Sequence, residues 1–372
     1  MKKINNMHRV LKTIIFKRSI SRADLSRELL LNKATVSYLT SNLEDKKIIC
    51  QEEELQATKG RHSITYTLNK DYGTFVFFNI KAEVLESYIT NLKGELLEKD
   101  TKEILLNSKE ILVQSIQEKL AYFLKKYTDN LGVGLSIHGT IEKNEKIHFT
   151  PHNNISNFDL KSELEKQFKN ISFYIENEAN ITALGENYFF DEENTLTITN
   201  SRGIGAGIIS NYKIYKGSNG FAGELGHNIV VPDGLPCACG NKGCLEQYAS
   251  EDNILKQASI LKDKKINSKD FINLFNEKDL DIQKLYYKSL DYLSIAIINA
   301  SFLLNPSYVI LNGDLYTNIK ETKSYLKSKF SNKLQGDTQI LISKDIEKAF
   351  CIGFASYVTR IIFIDSTDWL EE

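Results

Sequence analysis

The stretch Gly223–Gln247, GELGHNIVVPDGLPCACGNKGCLEQ, holds three of the chain's five cysteines and places Cys237 ten positions after His227. With Cys239 and Cys244 the array reads H-x9-C-x-C-x4-C. Three thiolates and an imidazole satisfy the tetrahedral preference of Zn²⁺, and four protein ligands leave no open position, which marks a structural rather than a catalytic ion. Gly240 and Gly243 supply the bends that aim the sulfurs at one point. The plainer alternative is a set of unligated thiols; a redox pair is disfavoured because no C-x-x-C is present. Glu224 and Glu246 bracket the array. A zinc loop clamping both ends would offer both carboxylates to one cleft as acceptors for polyol hydroxyls, whereas without the clamp they are ordinary solvated glutamates.

Outside this stretch, Cys50 and Cys351 are isolated, and an odd cysteine count argues against a disulfide framework. A chain of 372 residues suggests two or three units, and 42% hydrophobic with 26% charged residues is ordinary for a globular protein. No run approaches the ~18 apolar residues of a membrane span, nor does the N-terminus carry a secretory pattern, so a cytoplasmic location is expected. The net charge of −1 hides an asymmetry. Residues 1–70 hold 14 Lys and Arg against 7 Asp and Glu, leaving 33 against 41 for the remainder. A basic head on an acidic body suits a DNA-binding module joined to a ligand-binding one.

In the head, HRVLKTIIFKRSISRADLSRELLLNKATVSYLTSNLEDKKIICQ predicts three short amphipathic helices, with Ser21 capping the second and Asn32 the third. The tight link at LLLNK fits a helix-turn-helix whose third helix presents Lys33, Ala34, Thr35, Ser37 and Tyr38 to the major groove. IICQEEELQATKGRHSITYTLN then reads as two strands joined by a loop with Lys59, Gly60 and Arg61, a wing able to reach phosphate or the minor groove. The alternative is a small interaction module whose charges are merely solvated.

From about Thr74 strands alternate with helices, which predicts α/β layers. Strand-rich openings near Phe75 and Thr195 suggest two related lobes with a cleft between them. Gly203, Gly205 and Gly207 form either a ligand-approaching loop or a hairpin turn, and Asn177 and Glu178 sit at a strand end as cleft residues or as a helix cap.

GELGH followed by CACGNKGCLE resembles the signature of the ROK family of repressors, open reading frames and sugar kinases, and the head resembles that of its repressor branch. The resemblance implies an N-terminal winged helix-turn-helix over 1–72 and a two-lobed, actin-like α/β sugar-kinase fold over 73–372. Lobe one would span about 73–183 plus the C-terminal helix, and lobe two about 184–345. It implies Asn177, Glu178, Glu224, His227 and Glu246 around a sugar, His227 serving zinc with one ring nitrogen and sugar with the other. Operator DNA, a monosaccharide inducer with xylose first among candidates, and a homodimer follow as expected partners.

The departures from the family's kinases matter too. Their first strand carries an Asp-x-Gly-Gly-Thr phosphate motif, where NIKAE puts Asn79, Lys81, Ala82 and Glu83. Ser201 and Arg202 replace a Gly-Thr pair, LNGDL replaces a glycine-rich nucleotide loop, Glu178 stands at the catalytic aspartate's position, and His138 stands where a proline is usual. Phosphoryl transfer needs close backbone approach to phosphate and a Mg²⁺ site. The expectation is therefore a repressor without catalytic residues, the alternative being a sugar kinase with a DNA-binding head.

Overall fold

A computed structural model describes residues 2–54, 63–81, 83–105, 108–150, 155–330, 338–366 and 369. Lys59, Gly60, Arg61 and Ala82 lie outside the described residues.

The head consists of α1 (Lys2–Lys17), β1 (Ile20–Ser21), α2 (Arg22–Leu29), α3 (Lys33–Asp45), β2 (Ile49–Glu54) and β3 (Ser63–Leu68). Both expected caps are made: Ser21 Oγ accepts from the Asp24 amide and Asn32 Oδ1 from that of Thr35. Val10, Leu11, Ile14, Leu25, Val36, Leu39 and Leu43 form its buried interior. The strands make one sheet, ordered β1-β3-β2, with β2 and β3 antiparallel.

The body contains two five-stranded sheets of the same topology. In the first, the meander β4 (Thr74–Ile80), β5 (Val84–Asn91) and β6 (Leu96–Glu103) is extended beyond β4 by parallel β7 (Asn130–Ile137) and β11 (Phe173–Asn177). In the second, β12 (Asn194–Asn200), β13 (Ile204–Ser210) and β14 (Lys213–Ile214) form the meander, extended beyond β12 by parallel β15 (Tyr308–Asn312) and β16 (Gln339–Ile342). The repeated opening read from the sequence is this repeated meander. A small sheet of β8 (Thr140–Ile141), β9 (Ile147–Phe149) and β10 (Ser156–Phe158) projects from lobe one.

Every residue of β4 is buried because both faces of its sheet are covered. Val76, Phe78 and Ile80 pack with Leu112, Ile116 and Leu120 of α4 (Lys109–Lys126), which is followed by the short α5 (Leu160–Glu165). Phe75 and Phe77 face the other way, toward the last helix, where Phe77 stacks on Phe354 at 4.7 Å. On lobe two, α7 (Glu246–Ala249), α8 (Glu251–Leu261), α9 (Ser268–Asn276), α10 (Leu280–Leu304), α11 (Asp314–Asn318) and α12 (Glu321–Lys329) supply the layer over β12 and β15, with Leu290, Leu293 and Ile297 of α10 at its centre. No helix of the described residues is long and apolar enough to cross a membrane.

Two helices tie the lobes together. α6 (Glu178–Phe190) leaves the end of β11 and packs against α13 (Ile346–Arg360) through paired glycines. A Cβ on Gly185 would lie 1.6 Å from the Ala349 carbonyl oxygen, and one on Gly353 2.0 Å from that of Ile181. The helices can approach this closely only without side chains there. Gly185→Ala is expected to cost about 1–3 kcal/mol by overpacking, read as a lowered midpoint in thermal unfolding; an unchanged midpoint would show that the helices part freely.

The head does not close its core alone. Met7, Leu11 and Tyr66 belong to one continuous buried cluster with Phe75, Phe350, Phe354 and Trp369 of the body. His8 Nε2 also lies 2.8 Å from the Ile364 carbonyl oxygen. The head is thus packed onto lobe one and the C-terminal segment rather than tethered by a linker.

Candidate functional site

The carboxyl ends of β7 and β11 face the β12–β13 turn across a cleft of about 400 Å³, within the size range of small-molecule sites. Asn177, Glu178, Glu224, His227 and Glu246 all line it. They come from two lobes and three separate segments.

Asn177 satisfies both readings made from sequence. It caps α6, its Oδ1 accepting from the Ala179 amide at 2.8 Å, and its Nδ2 donates to the Gly139 carbonyl. The cap fixes the direction of α6, and the second bond fixes the turn after β7. Behind it, the Glu176 carboxylate accepts from the Asn177 amide and from Asn180 Nδ2 and pairs with Lys216. Glu178, in the first helical turn, receives the Asn79 Nδ2 bond at 3.1 Å. That amide also donates to Glu86, which pairs with Lys81 at 2.8 Å. Burial would lower the Lys81 pKa, but the negative charges of Glu178 and Glu86 outweigh it and hold it above the ordinary value.

On lobe two, a single 3-10 turn over Leu225–His227 places Glu224 Oε2 3.8 Å from His227 Nε2. The other ring nitrogen, Nδ1, faces Cys237 Sγ at 3.6 Å and Glu246 Oε1 at 3.6 Å. The Glu224 pKa is raised, chiefly by burial and further by Glu246, against the opposing pull of His227. Glu246 opens α7 with its side chain 18% exposed, whereas that of Glu224 is 37% exposed.

The ligating atoms of His227, Cys237, Cys239 and Cys244 lie within 4.8 Å of one another. Cys239 and Cys244 sulfurs are 3.6 Å apart. A tetrahedral zinc with ~2.3 Å Zn–S bonds sets its sulfurs about 3.8 Å apart, so this pair has the spacing the ion needs and the four residues could hold a metal. The loop is held by bridges between Ile229 and Cys244 and between Pro236 and Lys242. Gly240 and Gly243 take φ values of 92° and 81°, the left-handed bends expected of them.

The glycine run reads differently in three dimensions. Gly203 lies in the turn between β12 and β13, whereas Gly205 and Gly207 are strand residues of β13. A Cβ on Gly207 would come within 2.4 Å of the Ala179 carbonyl oxygen, so that glycine admits the start of α6 to the sheet.

Several cleft residues were not among the candidates named from the sequence. His148 and Phe149 of lobe one and Phe221 of lobe two line the cleft, with His148 and Phe221 in ring contact at 5.0 Å. Nearby, Arg202 of the β12–β13 turn forms an ion pair with Glu83 of the β4–β5 turn, joining the two lobes. Ring contacts of this kind become legible only when the strand ends are placed.

In the head, the N-terminal half of α3 exposes Lys33, Ala34 and Tyr38, with Thr35 and Ser37 half-buried, while Val36, Leu39 and Leu43 face inward. Leu30, in the left-handed cap between α2 and α3, is also exposed. At the other side of the head, Arg18 donates to the Asn187 and Tyr188 carbonyls at the end of α6, lies 4.0 Å over the Tyr188 ring and faces Asp191 at 3.6 Å.

The sequence profile of the ROK family matches residues 80–360. The xylose repressor of Bacillus subtilis is 31% identical over 96% of this chain and 95% of its own length. A ROK family transcriptional regulator described as a homologue of the Escherichia coli MLC protein superposes with a TM-score of 0.81, at 24% identity over 98% of this chain and 99% of that one. A ROK family glucokinase from Streptomyces griseus, solved with glucose and AMPPNP, gives 0.69 at 22% identity over 77% of this chain and 99% of that one. The body therefore has the actin-like, sugar-kinase-type architecture.

Proposed function

The chain belongs to the ROK family, and from that premise we propose that it is a sugar-responsive transcriptional repressor released from its operator by a monosaccharide, xylose first. The head is read as a winged helix-turn-helix, α3 entering the major groove through Lys33, Ala34, Thr35, Ser37 and Tyr38. The wing contacts of Lys59, Gly60 and Arg61 belong to the same reading. A homodimer would present two heads to a palindromic site.

Sugar hydroxyls would donate to Glu224, Glu246 and Glu178, with Asn177 and His227 Nε2 completing the ring of polar partners. Zinc held by His227 Nδ1, Cys237, Cys239 and Cys244 would supply no chemistry beyond bracing this wall. The body is read as a binding module rather than a kinase. Lys81 and Glu83 stand where a phosphate-approaching loop needs glycines, and they are engaged with Glu86 and Arg202.

One observation carries the reading: α6 begins at the cleft, where Glu178 lines it, and ends on Arg18 of the head. A 13-residue helix spans about 20 Å at 1.5 Å per residue, and its tight pairing with α13 makes it a stiff member. Sugar that draws the lobes together moves the first turn of α6 and, through it, the seat of the head. A ligand shifts such an equilibrium only by its differential affinity for the two arrangements.

Added xylose is expected to raise the thermal unfolding midpoint of the wild type, as any ligand of the native state does. Glu224→Gln with Glu246→Gln removes two charged acceptors and is expected to abolish that shift while leaving the fold intact. An equal shift in the variant would remove the cleft from the account.

A further inference from the structure

A second cavity, of about 210 Å³, lies between the head and the body. Arg18 and Ser19, just after α1, line it from the head; Lys93, Ser356, Thr359 and Arg360 line it from the body. Of its cations, Lys93 pairs with Glu52 at 2.6 Å and Arg18 with Asp191 at 3.6 Å. Arg360 has no carboxylate within ion-pairing distance among the described residues. Its Nη1 donates to the Tyr212 carbonyl at 2.7 Å and its guanidinium lies 4.8 Å from the Phe16 ring centroid. Its Nε is buried with no hydrogen-bond partner, and so is the hydroxyl of Thr359 beside it.

Burial, with the charge of Arg18, pulls the Arg360 pKa down to about 10 against the weaker opposing pull of Asp365. A largely buried guanidinium with no carboxylate in direct contact and an unused donor is costly, and folded proteins retain such groups where something else satisfies them. Guanidinium groups are the preferred partners of phosphate and carboxylate because their forked donors match paired oxygens.

We propose that this cavity binds a compact oxyanion, a phosphate group in particular, held by Arg360 and Arg18 with the Thr359 and Ser356 hydroxyls as further partners. The ligand bridges residues of the head and of α13, so its occupancy strengthens the seating of the head on the body. It is a second effector site, separate from the cleft and independent of whether that cleft takes a sugar.

The test is calorimetric titration of the full-length protein, without DNA or sugar, with inorganic phosphate, methyl phosphate and succinate against sodium chloride at matched ionic strength and pH. One saturable phosphate-type site per chain is expected, weakened about 10-fold or more by Arg360→Met through loss of a charged hydrogen bond. Thr359→Val, which keeps the side-chain shape, is expected to weaken it about 3-fold and decides the matter if the arginine variant does not fold. Lys284→Met, at an exposed lysine of α10 that is no part of the cavity's lining, leaves it unchanged. Tighter methyl phosphate than inorganic phosphate assigns the site to a phosphate ester, and the reverse order assigns it to the free ion. Binding no stronger than that of chloride, strongest binding by succinate, or phosphate binding that both cavity variants leave intact overturns the proposal.

Discussion

Cys244→Ser is expected to cost the protein its zinc and, with it, its response to sugar. Cys244 is completely buried and pairs through its backbone with Ile229, so its sulfur is the ligand least able to be replaced by water. Structural zinc sites contribute apparent binding free energies of about 10–16 kcal/mol, so a zinc held here would brace the loop well beyond its two backbone bridges. Without that ion the His227 ring would keep only its contacts with Glu224 and Glu246, 3.8 and 3.6 Å away. Glu224 and Glu246 lose their common frame at the same time. Zinc analysis is expected to fall from one ion per chain to a trace, and sugar affinity to fall about 100-fold, or about 2.7 kcal/mol. DNA binding by the head should persist, giving a repressor that sugar cannot release. Full sugar binding by a zinc-free variant would show that the loop stands without its metal.

Arg18→Met is expected to separate binding from release. The substitution keeps an apolar stem against Tyr188 but removes the donors to the Asn187 and Tyr188 carbonyls and the charge facing Asp191. Sugar should bind the variant as it binds the wild type, since Arg18 is no part of the cleft. What should shrink is the factor by which sugar weakens DNA binding, expected at about 5–150-fold in the wild type and at a few-fold in the variant. Coupling is reciprocal, so the factor by which DNA weakens sugar binding must shrink equally. Anisotropy with labelled duplex and calorimetry with sugar measure the two sides. Undiminished release by Arg18→Met would place the signal on another path.

How much of this was legible in the sequence depended on whether the signal was local. The caps at Ser21 and Asn32 are set within a few residues and the H-x9-C-x-C-x4-C array with its two glycine bends within 18, and the structure has them where the sequence put them. The repeated opening was visible because β4 is buried throughout and β12 over most of its length. Asn177 was ambiguous for a physical reason: a residue that ends a strand at a cleft and starts a helix does both jobs with one side chain. Gly203 and Gly205 do line the cleft, whereas Gly207 misled because a glycine needed for close packing looks in sequence like one needed for a turn. Phe221, Arg18 and Arg360 gave no signal, since each matters through a partner dozens or hundreds of positions away.

The most direct measurement of the central claim is release of DNA by sugar. A duplex selected by the protein itself from a random-sequence pool would be bound at fixed salt, because phosphate contacts make the affinity salt-dependent. It would then be titrated with xylose, glucose, N-acetylglucosamine and fructose. The account predicts that xylose frees the duplex at concentrations that raise the unfolding midpoint, and that the Glu224→Gln, Glu246→Gln variant holds its DNA throughout. Retention of the duplex by the wild type at saturating levels of every sugar would contradict it.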